Sequence, residues 1–82
     1  MPKRLFMLDV PENQDIIQAA RGLDEISVST AGPYFVLEAP EALVIDRRST
    51  GVRHAVWYSC IAGIEGYRIV RWDKDALVLE AR

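Results

Sequence analysis

From Tyr34 to Gly63 the chain is a series of short apolar runs cut by turn residues. Tyr34-Phe35-Val36-Leu37 gives way to Glu38-Ala39-Pro40, and Leu43-Val44-Ile45 runs into Asp46-Arg47-Arg48. Val56-Trp57-Tyr58-Ser59-Cys60-Ile61 then closes on Ala62-Gly63. Runs this short, rich in valine, isoleucine and aromatics and bounded by proline or glycine, have the composition and length of strands. The stretch predicts sheet, and it gathers no catalytic set of side chains. A chain built this way acts through its surface, so its function is expected to depend on a partner.

With 82 residues the chain is expected to form a single domain spanning 1–82, near the lower limit for an independent core. Half of it is apolar and 27% is charged, a balance that excludes a disordered tail or a fibre. No apolar run approaches the roughly 20 residues that span a bilayer, so no membrane partner is expected. A net charge of −2 provides no bulk attraction for nucleic acid. Arg47, Arg48, Arg53, Arg68 and Arg71 do interleave with Trp57, Tyr58, Tyr67 and Trp72. That pattern binds single strands only where the rings stand exposed on one face, and no nucleic-acid partner is expected. The single cysteine, Cys60, rules out an intrachain disulfide and a cysteine-based metal site, and fits a reducing, cytoplasmic location. Leu5-Phe6-Met7-Leu8 is stopped too early by Asp9 and Pro11 to be a signal-peptide core.

Lys3 to Asp9 reads as a strand buried mostly on both sides. Asp9, Pro11 and Glu12 suit a helix start, and the helix is expected from about Val10 to Arg21. Ile16, Ile17 and Ala20 form its apolar stripe with Leu23 just beyond, and Gly22 is expected to end it in a left-handed turn. Residues 26 to 38 read as a hairpin about Ala31-Gly32-Pro33. A fourth strand over Leu43 to Arg47, a turn at Ser49-Thr50-Gly51 and a longest strand over Arg53 to Ile61 follow. Tyr67 to Trp72 and Leu77 to Ala81 form a last hairpin about Asp73-Lys74-Asp75. The predicted class is α+β: a mostly antiparallel sheet of six or seven strands with one N-terminal helix packed on it, β-α-β-β followed by further strands, without a repeat.

Catalytic candidates are sparse. His54 and Cys60 on one strand lie roughly 20 Å apart at about 3.3 Å per residue, too far for a dyad. One histidine is too few for an imidazole metal site. The acids fall at element ends and turns; Glu38 and Asp46 alone could face each other across neighbouring strands, too thin a basis for a paired acid/base role. The glycines match neither phosphate-binding fingerprint. No enzymatic activity, cofactor or metal is expected.

The Tyr34 to Gly63 block, preceded by a helix bearing Ile16-Ile17 and a strand, resembles the small effector or coupling proteins of soluble diiron monooxygenases, the regulatory family of the methane, phenol and toluene enzymes. The likeness rests on Tyr34-Phe35-Val36, Ala39-Pro40, Leu43-Val44-Ile45, Arg47-Arg48-Ser49-Thr50 and Ser59-Cys60-Ile61-Ala62-Gly63. It covers half to two thirds of the chain. One departure stands out: the family places a second helix after the basic pair, whereas Thr50 and the next predicted strand are separated here only by Gly51-Val52-Arg53-His54.

The resemblance implies a cofactor-free protein of paired β-α-β-β halves that docks on the hydroxylase component of a monooxygenase near its diiron centre and modulates oxygen activation and hydroxylation. Arg47, Arg48, Trp57, Tyr58, Ser59 and Gly63 are the expected partner-binding residues. The pleat of a strand allows only one of Trp57 and Tyr58 to face outward. The alternative is a generic ferredoxin-like interaction module, a homodimer through an exposed sheet edge.

Overall fold

A computed structural model describes residues 3–82. Strand β1 (Arg4–Leu8) leads through a 3-10 turn at Pro11–Asn13 into helix α1 (Gln14–Arg21), then β2 (Ser27–Ala31) and β3 (Tyr34–Glu38). The second half holds β4 (Ala42–Asp46), short helices α2 (Arg47–Thr50) and α3 (His54–Trp57), then β5 (Gly63–Glu65), β6 (Tyr67–Trp72) and β7 (Ala76–Ala81). The α+β class and the antiparallel pairing are as expected. The strands, however, divide between two sheets, ordered β2-β3-β1-β5 and β4-β7-β6.

The split follows a repeat of topology that the sequence hides. In β1-α1-β2-β3 the last strand lies between the first and the second, and β4-α2-α3-β6-β7 repeats that arrangement. Strand β5 leaves the second unit to pair with β1 of the first. These are the paired β-α-β-β halves that the resemblance implies.

Strand alternation builds one core from both units. Leu5 opposite Leu37 and Met7 opposite Phe35 point inward from the first sheet. Leu43 opposite Leu79 and Ile45 opposite Leu77 do so from the second, and all eight side chains join a single buried cluster with Ile16, Ile17, Ala20, Trp57 and Tyr67. Strand β1 is buried on one face only: Leu5 and Met7 are inaccessible, whereas Leu8 is 43% exposed.

Several local expectations are corrected. The 53–61 strand does not form. Asp46 is extended and its carboxylate accepts from the Arg48 amide at 3.3 Å, so the basic pair opens α2 instead of ending a strand. Gly51, at φ 73°, terminates that helix in the left-handed region. Val52, Val56, Trp57 and Cys60 then recur at helical spacing and turn inward through α3 and the loop after it. The second helix that the sequence left no room for is therefore present. At α1, the preceding turn has no side-chain cap, and the Asp9 carboxylate accepts instead from the Gln14 side chain at 3.0 Å. Gly22 ends α1 at φ −78°, not left-handed.

Candidate functional site

The reactive groups do not converge. Cys60 is buried in the loop after α3, and loss of solvent pushes its thiol up to about 11, far from a thiolate at neutral pH. His54 is exposed at the start of α3, on a helix and not on a strand with Cys60. Glu38 and Asp46 end strands of different sheets and do not face each other across neighbouring strands. Among the described residues no three His, Cys, Asp or Glu side chains are grouped to hold a metal. No helix of the described residues is long and apolar enough to cross a membrane.

The residues expected to contact a partner sort by burial. Trp57 is fully inaccessible and donates from Nε1 to the Asp73 carbonyl at 2.6 Å. It belongs to the core, so direct partner contact by Trp57 is corrected. Tyr58, one residue on, is 46% exposed and lies against Trp72 with ring centroids 5.9 Å apart. The choice between the two rings is made by helix geometry, not by a pleat. Arg47 is committed internally: its guanidinium donates to the carbonyls of Lys74 and Val52, tying α2 to the β6–β7 turn. Arg48 is free by comparison, with a side chain 79% exposed and Asp75 no closer than 4.0 Å.

The turn that receives Arg47 and Trp57 is itself fixed by charge. Arg71 donates to Asp73 at 2.6 Å, and the amides of Asp75 and Ala76 donate to the same carboxyl, holding its pKa down at about 2. This knot rigidifies the floor beneath α3. A rigid floor fixes the direction in which Tyr58 and Ser59 project.

Gly63 belongs to a second surface, the outer face of the first sheet, and Ser59, in the turn after α3, to a cleft beside it. Gly63, Phe6, Val36 and Ser29 form one row across its four strands, because Phe6 pairs with both Gly63 and Val36, and Val36 with Ser29; Val36 itself is buried at 4% exposure. Leu8, Tyr34 and Ala31 form the next row. Phe6 and Tyr34 meet edge to face at 6.0 Å, a favoured aromatic arrangement. A Cβ on Gly63 would approach the Phe6 ring to 3.7 Å, so that position tolerates alanine. Beyond Leu8 the face runs into a cleft of about 350 Å³ lined by Leu8, Val10, Glu12, Ala55, Val56 and Ser59. Ser59 and Gly63 were expected from the sequence; Phe6, Leu8 and Tyr34 on the same side were not. For Phe6 and Leu8 the signal is the apolar character of both faces of β1, which reads as burial on both sides.

Surface without chemistry is the arrangement on which the comparison with known structures bears. The fold resembles that of a chain in the solved phenol hydroxylase–regulatory protein complex. The likeness spans 100% of this chain and 100% of that one, with a TM-score of 0.79 and 15% sequence identity. No family model matches the chain, and no curated protein matches its sequence. At this identity the likeness is one of fold, and it covers the whole topological repeat, including the helices after Asp46.

Proposed function

We propose that the chain is a non-enzymatic effector of a multicomponent diiron monooxygenase, binding the hydroxylase component and modulating its oxygen activation. The observation that carries this reading is the end-to-end structural match to a chain of the phenol hydroxylase–regulatory protein complex. Both chains are covered fully, so the matched chain is about as small as this one. The dispersed and buried reactive groups agree with a role in which the partner supplies the chemistry.

Such an effector changes a rate only by binding one hydroxylase state more tightly than another. A preference of about 3 kcal/mol shifts the balance by a little over a hundredfold. Arg48, Tyr58, Ser59 and Gly63 remain the proposed contact residues. Tyr58 and Arg48 offer an exposed aromatic ring and guanidinium, the residue types that dominate interface energies. Arg47 supports them from within.

The test is reconstitution with a purified hydroxylase of the phenol hydroxylase type and its reductase, reading product formed per NADH consumed. The expected result is a saturable rise in rate or coupling as the chain is added. Absence of binding and unchanged turnover would overturn the proposal.

A further inference from the structure

Asn13 departs from the role its position offers. Asparagine is among the strongest helix-capping residues, and Asn13 stands at the N-cap of α1, yet its side chain caps nothing. The 3-10 turn has taken over that task, since the Asn13 amide donates to the Val10 carbonyl at 3.0 Å and the Gln14 amide to the Pro11 carbonyl. The side chain is released for something else. Its Nδ2 donates to the Leu8 carbonyl at 2.9 Å, which fixes the end of the amide that is oxygen. Among the described residues no group donates to that Oδ1, although Asn13 is only 6% exposed. An amide oxygen this deep takes its donor from whatever occupies the space beside it.

That space is the cleft beyond Leu8, which Asn13 also lines. Its walls are apolar, from Leu8, Val10, Ala55 and Val56, and its volume of about 350 Å³ is more than twice the roughly 150 Å³ in which an apolar protein cavity holds benzene. The remaining polar groups at its edge are acceptors as well. Ser59 commits its hydroxyl proton to the Ala55 carbonyl at 2.8 Å, which leaves the oxygen lone pairs. Glu12 adds an exposed carboxylate. Among the described residues no Lys, Arg or His lines the cleft.

We propose that this cleft is a binding site for a small uncharged amphiphile, with an apolar body of about one ring against Leu8, Val10 and Val56 and a hydroxyl head that donates to Asn13 Oδ1. The site does not depend on the effector role. The lining decides the class of ligand by elimination. An anionic head would meet only acceptors and the Glu12 carboxylate. An ammonium would lose its water between apolar walls to reach a neutral amide, while the exposed Glu12 keeps its charge in solvent and does not offset that loss. A hydrocarbon fills the walls and leaves Oδ1 without a donor. Water alone satisfies Oδ1 but leaves the apolar walls wet. A neutral alcohol or phenol meets both demands.

The experiment titrates the full chain with four single-ring probes, benzyl alcohol, benzyl methyl ether, benzylammonium and benzoate, and follows nitrogen–proton NMR shifts. Benzyl alcohol is expected to give saturable shifts at the Asn13 side-chain amide and at the backbone amides of Ala55, Val56 and Ser59. The ether, which keeps the oxygen and lacks the donor, should bind about tenfold more weakly, the discrimination one hydrogen bond supplies, and both ions more weakly than the alcohol. Ala55→Leu fills the cleft from the exposed side of α3 without touching Asn13. With native far-UV circular dichroism it should weaken benzyl alcohol about tenfold or more, and should it fail to fold, the wild-type series decides alone. No saturable shift with any probe overturns the site. An ether equal to the alcohol, or benzylammonium the tightest of the four, overturns the hydroxyl head. Shifts that persist in a folded Ala55→Leu chain place the probe elsewhere and overturn the cleft. Silent probes, with Ala55→Leu weakening a complex with purified hydroxylase, give the cleft to a side chain of the partner and overturn the small-molecule site while the effector reading stands.

Discussion

Adjacent residues divide the work most sharply at Trp57 and Tyr58. Trp57 has no accessible surface and its indole Nε1 is spent on the Asp73 carbonyl, so it cements α3 to the β6–β7 turn. Truncation removes a large buried ring and orphans that carbonyl. Trp57→Ala is expected to cost about 3–5 kcal/mol in urea unfolding. Tyr58→Ala loses only an exposed ring and its contact with Trp72, about 1 kcal/mol. On the effector role proposed above, binding to a hydroxylase should show the reverse order once folded fractions are matched, with Tyr58→Ala weakening the complex and Trp57→Phe leaving it unchanged. A destabilised Tyr58→Ala chain that binds normally would move Tyr58 out of the contact set.

Helix α2 depends on local chemistry more than on packing, since it is a single turn of four residues. Asp46 accepts from the Arg48 amide, Thr50 donates its hydroxyl to the Arg47 carbonyl at 2.6 Å, and Gly51 takes the left-handed φ. Asp46→Ala should therefore lower stability by about 1 kcal/mol, the usual worth of an N-cap, measurable as a shift in urea midpoint at constant slope. The same residues mark what could be read from sequence. Strands β1, β3, β4, β6 and β7 and helix α1 were legible because turn residues bound them and apolar period fills them. The two short helices were not. Val56, Trp57 and Tyr58 favour strands by composition, and that propensity outweighed the 3.6-residue recurrence of Val52, Val56, Trp57 and Cys60. Asp46 followed by Arg-Arg-Ser-Thr-Gly carried a cap and a stop, but both also spell a turn. Missing these helices also placed Trp57 on the surface. The outer face of the first sheet was illegible for a different reason: apolar side chains that cover one another on an outer sheet face, as around the buried Val36, and those that fill a core are written with the same residues.

At the scale of the whole molecule, the two β-α-β-β units are joined by three devices. They share one core, β5 of the second unit pairs with β1 of the first, and Tyr67 clasps the linker between them. The Tyr67 hydroxyl accepts from the Ala39 amide at 2.9 Å and donates to the Ala39 carbonyl at 3.0 Å, with both residues buried. Burial also raises the phenol's pKa, so it stays a neutral donor and acceptor under physiological conditions. Tyr67→Phe keeps the ring and orphans two backbone groups, which should cost about 2 kcal/mol or more. The form of the loss matters more than its size. Because Leu5 and Leu37 of one unit and Leu43 and Leu79 of the other meet in the same cluster, neither unit can open without exposing the core of both. The variant is therefore expected to unfold at lower urea but still in one step, with tryptophan fluorescence, which reports on α3 and β6, coinciding with far-UV circular dichroism, which reports on all strands. Fluorescence running ahead of circular dichroism would mean that the second unit melts alone and that the clasp, not the shared core, holds the repeat together.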